Sequence, residues 1–345
     1  MAQRGIREYH AKKMMAKYWK DYFEGLPAYA GRCVLVTPEA SLDKLAAKEA
    51  DSVKRASLEA KIAEYERRLA NYVDTLYARL GPWEKVLVAR AEPRPYTLDI
   101  IQAICSEFIE LEGDRRYGND PAIVGGPAVF RGRAIMILGH QKGRNIQERQ
   151  YRNFGMAKPE GYRKAIRLMQ MADRFGLPVV TLLDTPAADP GVESEARGIS
   201  EAIADSILAM LGLRAPTVAA VIGEGGSGGA IGIGVGNRVL MLEHAIYSVI
   251  PPEGCAAILW RQPERGDDAA AALRLTAQSA LELGLIDRIV PEPRGGAHRA
   301  PAEAAKLLGD AIEESLTELD PLSPDQLRAH RYAKYRAMGR FAEGG

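Results

Sequence analysis

Pro216-Thr-Val-Ala-Ala-Val-Ile-Gly-Glu-Gly-Gly-Ser-Gly-Gly-Ala-Ile-Gly-Ile-Gly-Val-Gly-Asn-Arg238 is the stretch whose reading decides the fold. Thr217 to Ile222 is an apolar, β-branched run that reads as a buried strand. It breaks into six glycines between Gly223 and Gly232 and continues through small residues. Adjacent glycines let backbone N–H groups approach a ligand with no Cβ in the way. A helix starting here leaves its first N–H groups without intrahelical partners, a setting that suits a phosphate or a developing oxyanion.

The spelling fits three motifs. Gly223-x-Gly225-x-x-Gly228 matches the dinucleotide fingerprint, with Glu243 about twenty residues on, where a ribose carboxylate belongs. Gly225-x-Ser227-x-Gly229 matches the nucleophile elbow of serine hydrolases. Gly228-Gly229, opening a short helix of small residues, matches an oxyanion hole made of backbone alone. A tight strand-to-helix turn without chemistry is the fourth reading.

Composition narrows the field. The 345 residues are 47% hydrophobic and 26% charged with a formal net charge of +1, so nothing draws the whole chain to nucleic acid or anionic membrane. Cys33, Cys105 and Cys255 lie far apart with no C-x-x-C pair, which argues against a disulfide framework or a zinc site supplied by this chain. No apolar run is long enough to cross a bilayer and no signal-peptide core is present. The expectation is a reduced, cytoplasmic protein with no metal of its own.

Along the chain, residues 1–40 interleave basic and aromatic side chains such as Lys17, Tyr18, Trp19 and Lys20. With a neutral total charge, an amphipathic helix docked on the body or on a partner is preferred there over nucleic-acid contact. Ser41 is a candidate N-cap. Leu58, Ile62, Tyr65, Leu69, Tyr72 and Leu76 then form a coiled-coil-like seam over 41–95 that Gly81-Pro82 stops. Thr97 is expected to cap a helix running to about Leu111. From Asp120 the texture becomes strand–loop–helix. Ala122 to Val129 and Ala134 to Leu138 are joined by Arg131-Gly-Arg133, and Leu177 to Leu183, Thr217 to Ile222, Arg238 to Ile250 and Gly284 to Val290 are further strands. Pro159 opens a helix, and Ile199, Ile203, Ile207 and Met210 mark another. Such units over 96–300 predict an α/β core with a parallel sheet and ligands at the strands' C-terminal ends. Residues 301–345 read as C-terminal helices. The loop Gly139-His-Gln-Lys142-Gly-Arg144 offers cations that could meet phosphates, with a solvated loop as the alternative.

The three motifs differ in what they ask of the rest. A dinucleotide site needs a helix, but Gly232, Gly234 and Gly236 interrupt the segment, each costing on the order of 1 kcal/mol in a helix interior. A hydrolase needs a base, and of five histidines only His244, His298 and His330 follow Ser227. The order Ser–Asp–His can be written with His298, which sits in a Gly-Gly turn of its own. The backbone reading needs no reactive side chain.

Longer segments then carry a resemblance. The run Gly-Glu-Gly-Gly-Ser-Gly-Gly-Ala, Tyr247-Ser-Val-Ile-x-Pro-Glu253-Gly-Cys-Ala-x-Ile-Leu-Trp260 and Ile289-Val-Pro-Glu-Pro-x-Gly-Gly-Ala-His-Arg299 are similar to the α subunits of bacterial acetyl-CoA carboxylase carboxyltransferase. So are Gly113-Asp-Arg, Ile123-Val-Gly-Gly, Gly139-His-Gln-Lys-Gly-Arg, Asn153-Phe-Gly-Met-x-x-Pro-Glu-Gly-Tyr-Arg-Lys and Asp184-Thr-Pro. The match runs in register from about Leu42 to the end and leaves residues 1–40 outside.

The resemblance implies a crotonase-like ββα superhelix. It implies a homologous β subunit carrying a zinc ribbon in an α2β2 heterotetramer, and a separate carrier protein that brings carboxybiotin. ATP is used only by a separate biotin carboxylase. In the family's reaction carboxybiotin yields CO2, its urea acts as base on acetyl-CoA, and malonyl-CoA forms in the first committed step of fatty acid synthesis. The glycine pair that faces the biotin urea oxygen falls on Gly228 and Gly229. Candidate substrate-binding positions are Gly225, Gly226, Asp184, Ala187 and Asp189, and Lys142 and Arg144 are candidates for the phosphates of coenzyme A. One loop departs: the family's Asp-Thr-Pro-Gly-Ala-Tyr-Pro-Gly has Ala187 in place of Gly and Asp189 in place of Tyr here. The competing expectations are a free-standing crotonase-type acyl-CoA hydratase or isomerase that recruits Asp189 or Glu193, a carboxyltransferase for another acyl-CoA, and a non-catalytic scaffold.

Overall fold

The computed structural model describes residues 52–339. The basic-aromatic segment 1–40 and Ser41 lie outside the described residues. The chain falls into two compact units, Met1–Tyr72 and Val73–Gly345. The described part of the first belongs to the helix Ser52–Tyr77, on which Tyr65 and Leu69 of the apolar seam are exposed.

In the second unit Gly81-Pro82 starts an element as well as ending one. Gly81 is the N-cap and Pro82 the first residue of the helix Pro82–Ala89. Proline is at home there because its missing N–H has no partner in a first turn anyway. The cap expected at Thr97 moves back one residue. Tyr96 is the N-cap of the helix Thr97–Ile104, its amide donating to Asp99 at 2.7 Å. The Thr97 hydroxyl instead donates to the His140 carbonyl at 2.5 Å. This helix stops well before Leu111 because sheet pairing takes over: Cys105–Ser106 forms β1 against the edge of β2, and the Ile109 and Leu111 amides donate to Pro127 and Gly125.

β2 (Ile123–Phe130) and β3 (Arg133–His140) form an antiparallel hairpin. Its two loop residues, Arg131 and Gly132, both have positive φ (50° and 81°), the twist that matches paired strands. β4 (Val179–Thr185), β5 (Thr217–Gly226), β6 (Arg238–Leu242) and β8 (Arg288–Val290) continue from β3 as parallel neighbours. The order is β1-β2-β3-β4-β5-β6-β8. Every residue of β4 and β5 is buried, as central parallel strands require.

The single strand expected over 238–250 is two. β6 pairs with residues 218–221 of β5, and β7 (Ile246–Ser248) with residues 224–226 farther along the same strand. β5 outruns β6, so its glycine-rich end takes a second neighbour to satisfy its backbone. The helices Pro159–Phe175, Ile199–Gly212 and Pro301–Leu319 contribute Leu168, Met169, Met210, Leu308 and Ile312 to one core with the strands. Among the described residues no helix is long and apolar enough to cross a membrane.

The last helix, Pro324–Arg336, is held by a buried cation. Arg331, 0% exposed, donates to the carbonyls of Leu211, Leu213 and Ala215 and to Asn237 Oδ1, the last at 2.6 Å. None of these partners is a carboxylate, and burial pushes the guanidinium down to about 10. Replacing Arg331 by Met should cost roughly 3 kcal/mol or more, because several buried acceptors lose their donor at once. Denaturant unfolding of the full chain checks this.

Candidate functional site

Strands β3, β4 and β5 end side by side at His140, Thr185 and Gly226, and the candidate site is built on those ends. After Gly226 the chain turns sharply at Ser227, φ +54°, into the helix Ser227–Ile231. That helix has five residues, too short to carry the pyrophosphate-binding turn of a dinucleotide unit. Glycine is needed here for close approach. A methyl on Gly226 would sit 2.0 Å from the Pro186 carbonyl oxygen, and one on Gly229 would sit 2.5 Å from the Ala187 carbonyl carbon. Gly228 differs: a methyl there would meet only the end of Ile203, at 3.5 Å.

As first-turn residues Gly228 and Gly229 have no intrahelical acceptor for their amides. Neither donates to a loop or turn carbonyl, and no side chain caps this helix start. Two adjacent donors are therefore uncommitted, on a half-buried and a buried residue.

Ser227 has the positive φ that a nucleophile elbow also shows, so backbone shape alone does not separate the two readings. The histidines do. His244 pairs with Lys85 at 2.5 Å, and His330 lies against Asn237 and Arg238. His140 is sealed inside, and burial pushes the His298 ring down to about 4. Among the described residues no histidine hydrogen-bonds Ser227.

Behind the glycine turn lies a network of charges. Lys142 Nζ bridges Asp184 Oδ1 at 2.7 Å and Glu224 Oε2 at 2.8 Å. Arg90 joins the other Glu224 oxygen at 2.6 Å and holds Glu253 at 2.5 Å. Asp184 Oδ1 also accepts the Glu224 amide at 2.9 Å. Burial alone would raise the Glu224 carboxyl, but the Lys142 ammonium and the Arg90 guanidinium outweigh it and hold it at about 2. Burial would lower Lys142; Asp184 and Glu224 reverse that and hold it above its ordinary value. A shallow depression in front of Gly225 and Gly226 is lined by Arg90, Glu224, Pro186, Ser248 and Ile250.

The other candidate residues are placed as follows. Lys142 is enclosed between its two carboxylates. Arg144 donates to the carbonyls of Glu92 and Arg94, pairs with Asp99 and lies 4.1 Å over the Tyr96 ring. Both cations thus have partners within the chain. Asp189 accepts from Asn153, in the turn Asn153–Gly155, at 3.0 Å and from Ser194 at 2.5 Å, so both its oxygens are engaged within the chain. Glu193 is exposed on a neighbouring turn. Ala187 takes part through its backbone, against Gly229 and Thr185. Arg90, Glu224 and Glu253 carried no signal as a group, being scattered in sequence by up to 163 positions.

Residues 35–339 match the family described as acetyl co-enzyme A carboxylase carboxyltransferase-like. The chain belongs to this family. It is 56% identical over 283 residues to the acetyl-coenzyme A carboxylase carboxyl transferase subunit alpha of Sphingopyxis alaskensis, covering 82% of this chain and 90% of that one. It is 54% identical over 298 residues to the subunit of that name from Parvibaculum lavamentivorans, covering 86% of this chain and 92% of the relative. Among solved structures, transcarboxylase 12S aligns with a TM-score of 0.52 at 20% identity, over 65% of this chain and 42% of that chain. A Pseudomonas malonate decarboxylase hetero-tetramer aligns with 0.51 at 21% identity, over 64% and 90%. These likenesses establish the crotonase-type carboxyltransferase fold. The protein is therefore a carboxyltransferase component of a biotin-dependent enzyme, and the hydratase alternative is not favoured.

Two outcomes test this geometry. Gly229→Ala, forced against the Ala187–Ala188 peptide, should lower stability by roughly 2 kcal/mol or more, whereas Gly228→Ala should stay within about 1 kcal/mol of wild type; paired denaturant melts separate them. Burial and the Lys142 charge hold the His140 ring at about 3 against its ordinary 6.5, so the unfolded chain takes up the proton first. Its contribution is constant above pH 6.5 and is lost as pH falls toward 3. Between pH 7 and 5 the wild type should lose about 2 kcal/mol relative to His140→Leu, at roughly 1.4 kcal/mol per unit.

Proposed function

We propose that this chain supplies one oxyanion hole of a carboxyltransferase that moves a carboxyl group from carboxybiotin, borne on a separate carrier protein, to acetyl-CoA, yielding malonyl-CoA. The observation that carries the reading is the uncommitted pair of amides at Gly228 and Gly229, at the C-terminal end of a central parallel strand. The donor set suits the urea oxygen of biotin: two adjacent N–H groups, no competing acceptor, and no Cβ over Gly228. When bound, biotin supplies the carboxyl group and the base.

The chain's own part is then electrostatic. The two amides hold negative charge that develops on an oxygen placed before them, each worth a few kcal/mol in a dry site. The helix dipole adds little over one turn. The Asp184–Lys142–Glu224–Arg90 network keeps the strand ends rigid and leaves no buried carboxylate unpaired near that negative charge. With Lys142 and Arg144 engaged internally, the reading assigns the coenzyme A phosphates to other groups. Asp189 enters as a brace of the loop under Gly229, which accommodates the departure at 187–189 without a change of reaction.

A partner completes the site in this proposal. Val249, between Ser248 and Ile250 of the depression's lining, and Ile258 and Leu259 on the helix Pro252–Trp260 are 76%, 72% and 63% exposed, apolar side chains of the kind that a second subunit covers. The β subunit with its zinc ribbon, in an α2β2 assembly with the carrier and the biotin carboxylase, is the partner set we assign, in the cytoplasm.

Co-expression with the cognate β subunit should give malonyl-CoA decarboxylation dependent on free biotin, and neither chain alone should turn over. Turnover of acyl-CoAs by this chain alone would contradict the reading. In the complex Ser227→Ala should keep most activity, since the donors are backbone atoms, while Gly228→Val should lower kcat by about a hundredfold or more.

A further inference from the structure

We infer that Phe154 is a ligand contact of this site: its ring, carried beside the strand ends on a strained left-handed turn, packs on the planar ring of a molecule bound there. The inference rests on the carboxyltransferase reading for the identity of that molecule, and on the backbone of this chain for its argument.

Asn153, Phe154 and Gly155 have φ of 44°, 57° and 81°, three left-handed residues in a row. Glycine takes that region freely and asparagine tolerates it, but a bulky aromatic there is strained. Among the described non-glycine residues with positive φ, Phe154 alone has an apolar side chain. Such strain persists only where the surroundings over-determine the backbone, and this turn is held from several sides. The Gly155 and Met156 amides donate to the Arg152 and Asn153 carbonyls at 2.8 and 2.9 Å. Asn153 Nδ2 donates to the Met156 carbonyl at 2.8 Å and to Asp189 Oδ1 at 3.0 Å. Arg152 donates to the Pro121 carbonyl at 2.8 Å. Gly155 is packed so closely that a methyl on it would lie 2.9 Å from Lys142 Cγ and 3.1 Å from the Asp184 carbonyl oxygen.

Those two neighbours seat the turn at the site. Lys142 Nζ reaches Glu224, and the chain runs from Asp184 through Thr185 to Pro186. Glu224 and Pro186 both line the depression in front of Gly225 and Gly226. The Phe154 ring belongs to none of the apolar clusters among the described residues, and it is 41% exposed. Glycine or asparagine at this position would hold the same turn with less strain. A half-exposed ring outside the core does little to offset that strain from within the chain; a contact with a bound molecule does. The face of an aromatic ring suits a flat partner. In the proposed reaction two ligands carry one, the ureido ring of biotin and the adenine of coenzyme A.

The test uses the full chain assembled with its β subunit, as Phe154→Gly, Phe154→Asn and Phe154→Tyr. Binding of free biotin and of coenzyme A is measured by calorimetry, and decarboxylation is followed with biotin and malonyl-CoA varied in turn. Phe154→Gly and Phe154→Asn should weaken one of the two ligands at least about fivefold, in Kd and in KM, the scale of one aromatic contact. The ligand affected identifies the ring. Tm of both variants should stay within about 2 °C of wild type or exceed it, because relief of the left-handed strain offsets the apolar surface lost. Phe154→Tyr, which keeps the ring face, should bind that ligand more tightly than either. Unchanged affinity for both ligands in Phe154→Gly overturns the inference while leaving the turnover of the wild-type assembly, and the reading behind it, intact. A fall in Tm that accounts for the loss also overturns it, as does failure of the variants to assemble with the β subunit, which would make Phe154 an interface residue. If the wild-type assembly binds neither ligand and does not turn over, the carboxyltransferase reading fails and this inference fails with it.

Discussion

The end of β5 lies against the loop that follows β4 at distances only bare backbone allows, and the rest of the site depends on that contact. A methyl on Gly226 would lie 2.0 Å from the Pro186 carbonyl oxygen, and on Gly229 2.5 Å from the Ala187 carbonyl carbon. Since no side chain can intervene, peptide groups form the surface presented at the strand ends. Positive φ at Ser227 follows from the same constraint, because the chain must leave a strand and enter a helix within one residue. Uncommitted amides on Gly228 and Gly229 are the product of that turn.

Charge is handled one layer behind. Five ionised groups, Arg90, Lys142, Asp184, Glu224 and Glu253, meet near the ends of β4 and β5, and pairing them stiffens the strands that carry the glycines. A buried ion pair is weak evidence for stability, since desolvation offsets most of the attraction. Its value here is rigidity and direction. Lys142 ties β4 to β5 just before the turn, while Arg94 ties the Ile222 carbonyl of β5 to the buried carboxylate of Glu292. A site that works through two small dipoles tolerates little movement of them.

Much of this was legible along the chain. The hydrophobic runs located β2, β3, β4 and β5 to within a few residues, and the glycine spacing located the turn. Pro159 and Pro301 marked helix starts because proline's missing N–H has nowhere better to sit. The loop cations were a different matter. Lys142 and Arg144 looked available for phosphate because their neighbours in sequence are polar, but Asp184, Glu224 and Asp99 reach them from 42, 82 and 45 positions away. Asp189 likewise looked like a substrate contact until Asn153 and Ser194 closed on it.

The sequence by itself determined the elements with local causes: strand periodicity, proline starts, the positive-φ hairpin at Arg131-Gly132, and a glycine pair free of side chains. Tertiary structure alone decided that residues 238–250 split between two stretches of β5, that Thr97 serves the His140 carbonyl in place of a cap, and that His140 is sealed in the interior. The division is physical. Local preferences act between residues a few positions apart, whereas the partner of a buried charge, hydroxyl or imidazole is whichever group the finished sheet brings within about 3 Å.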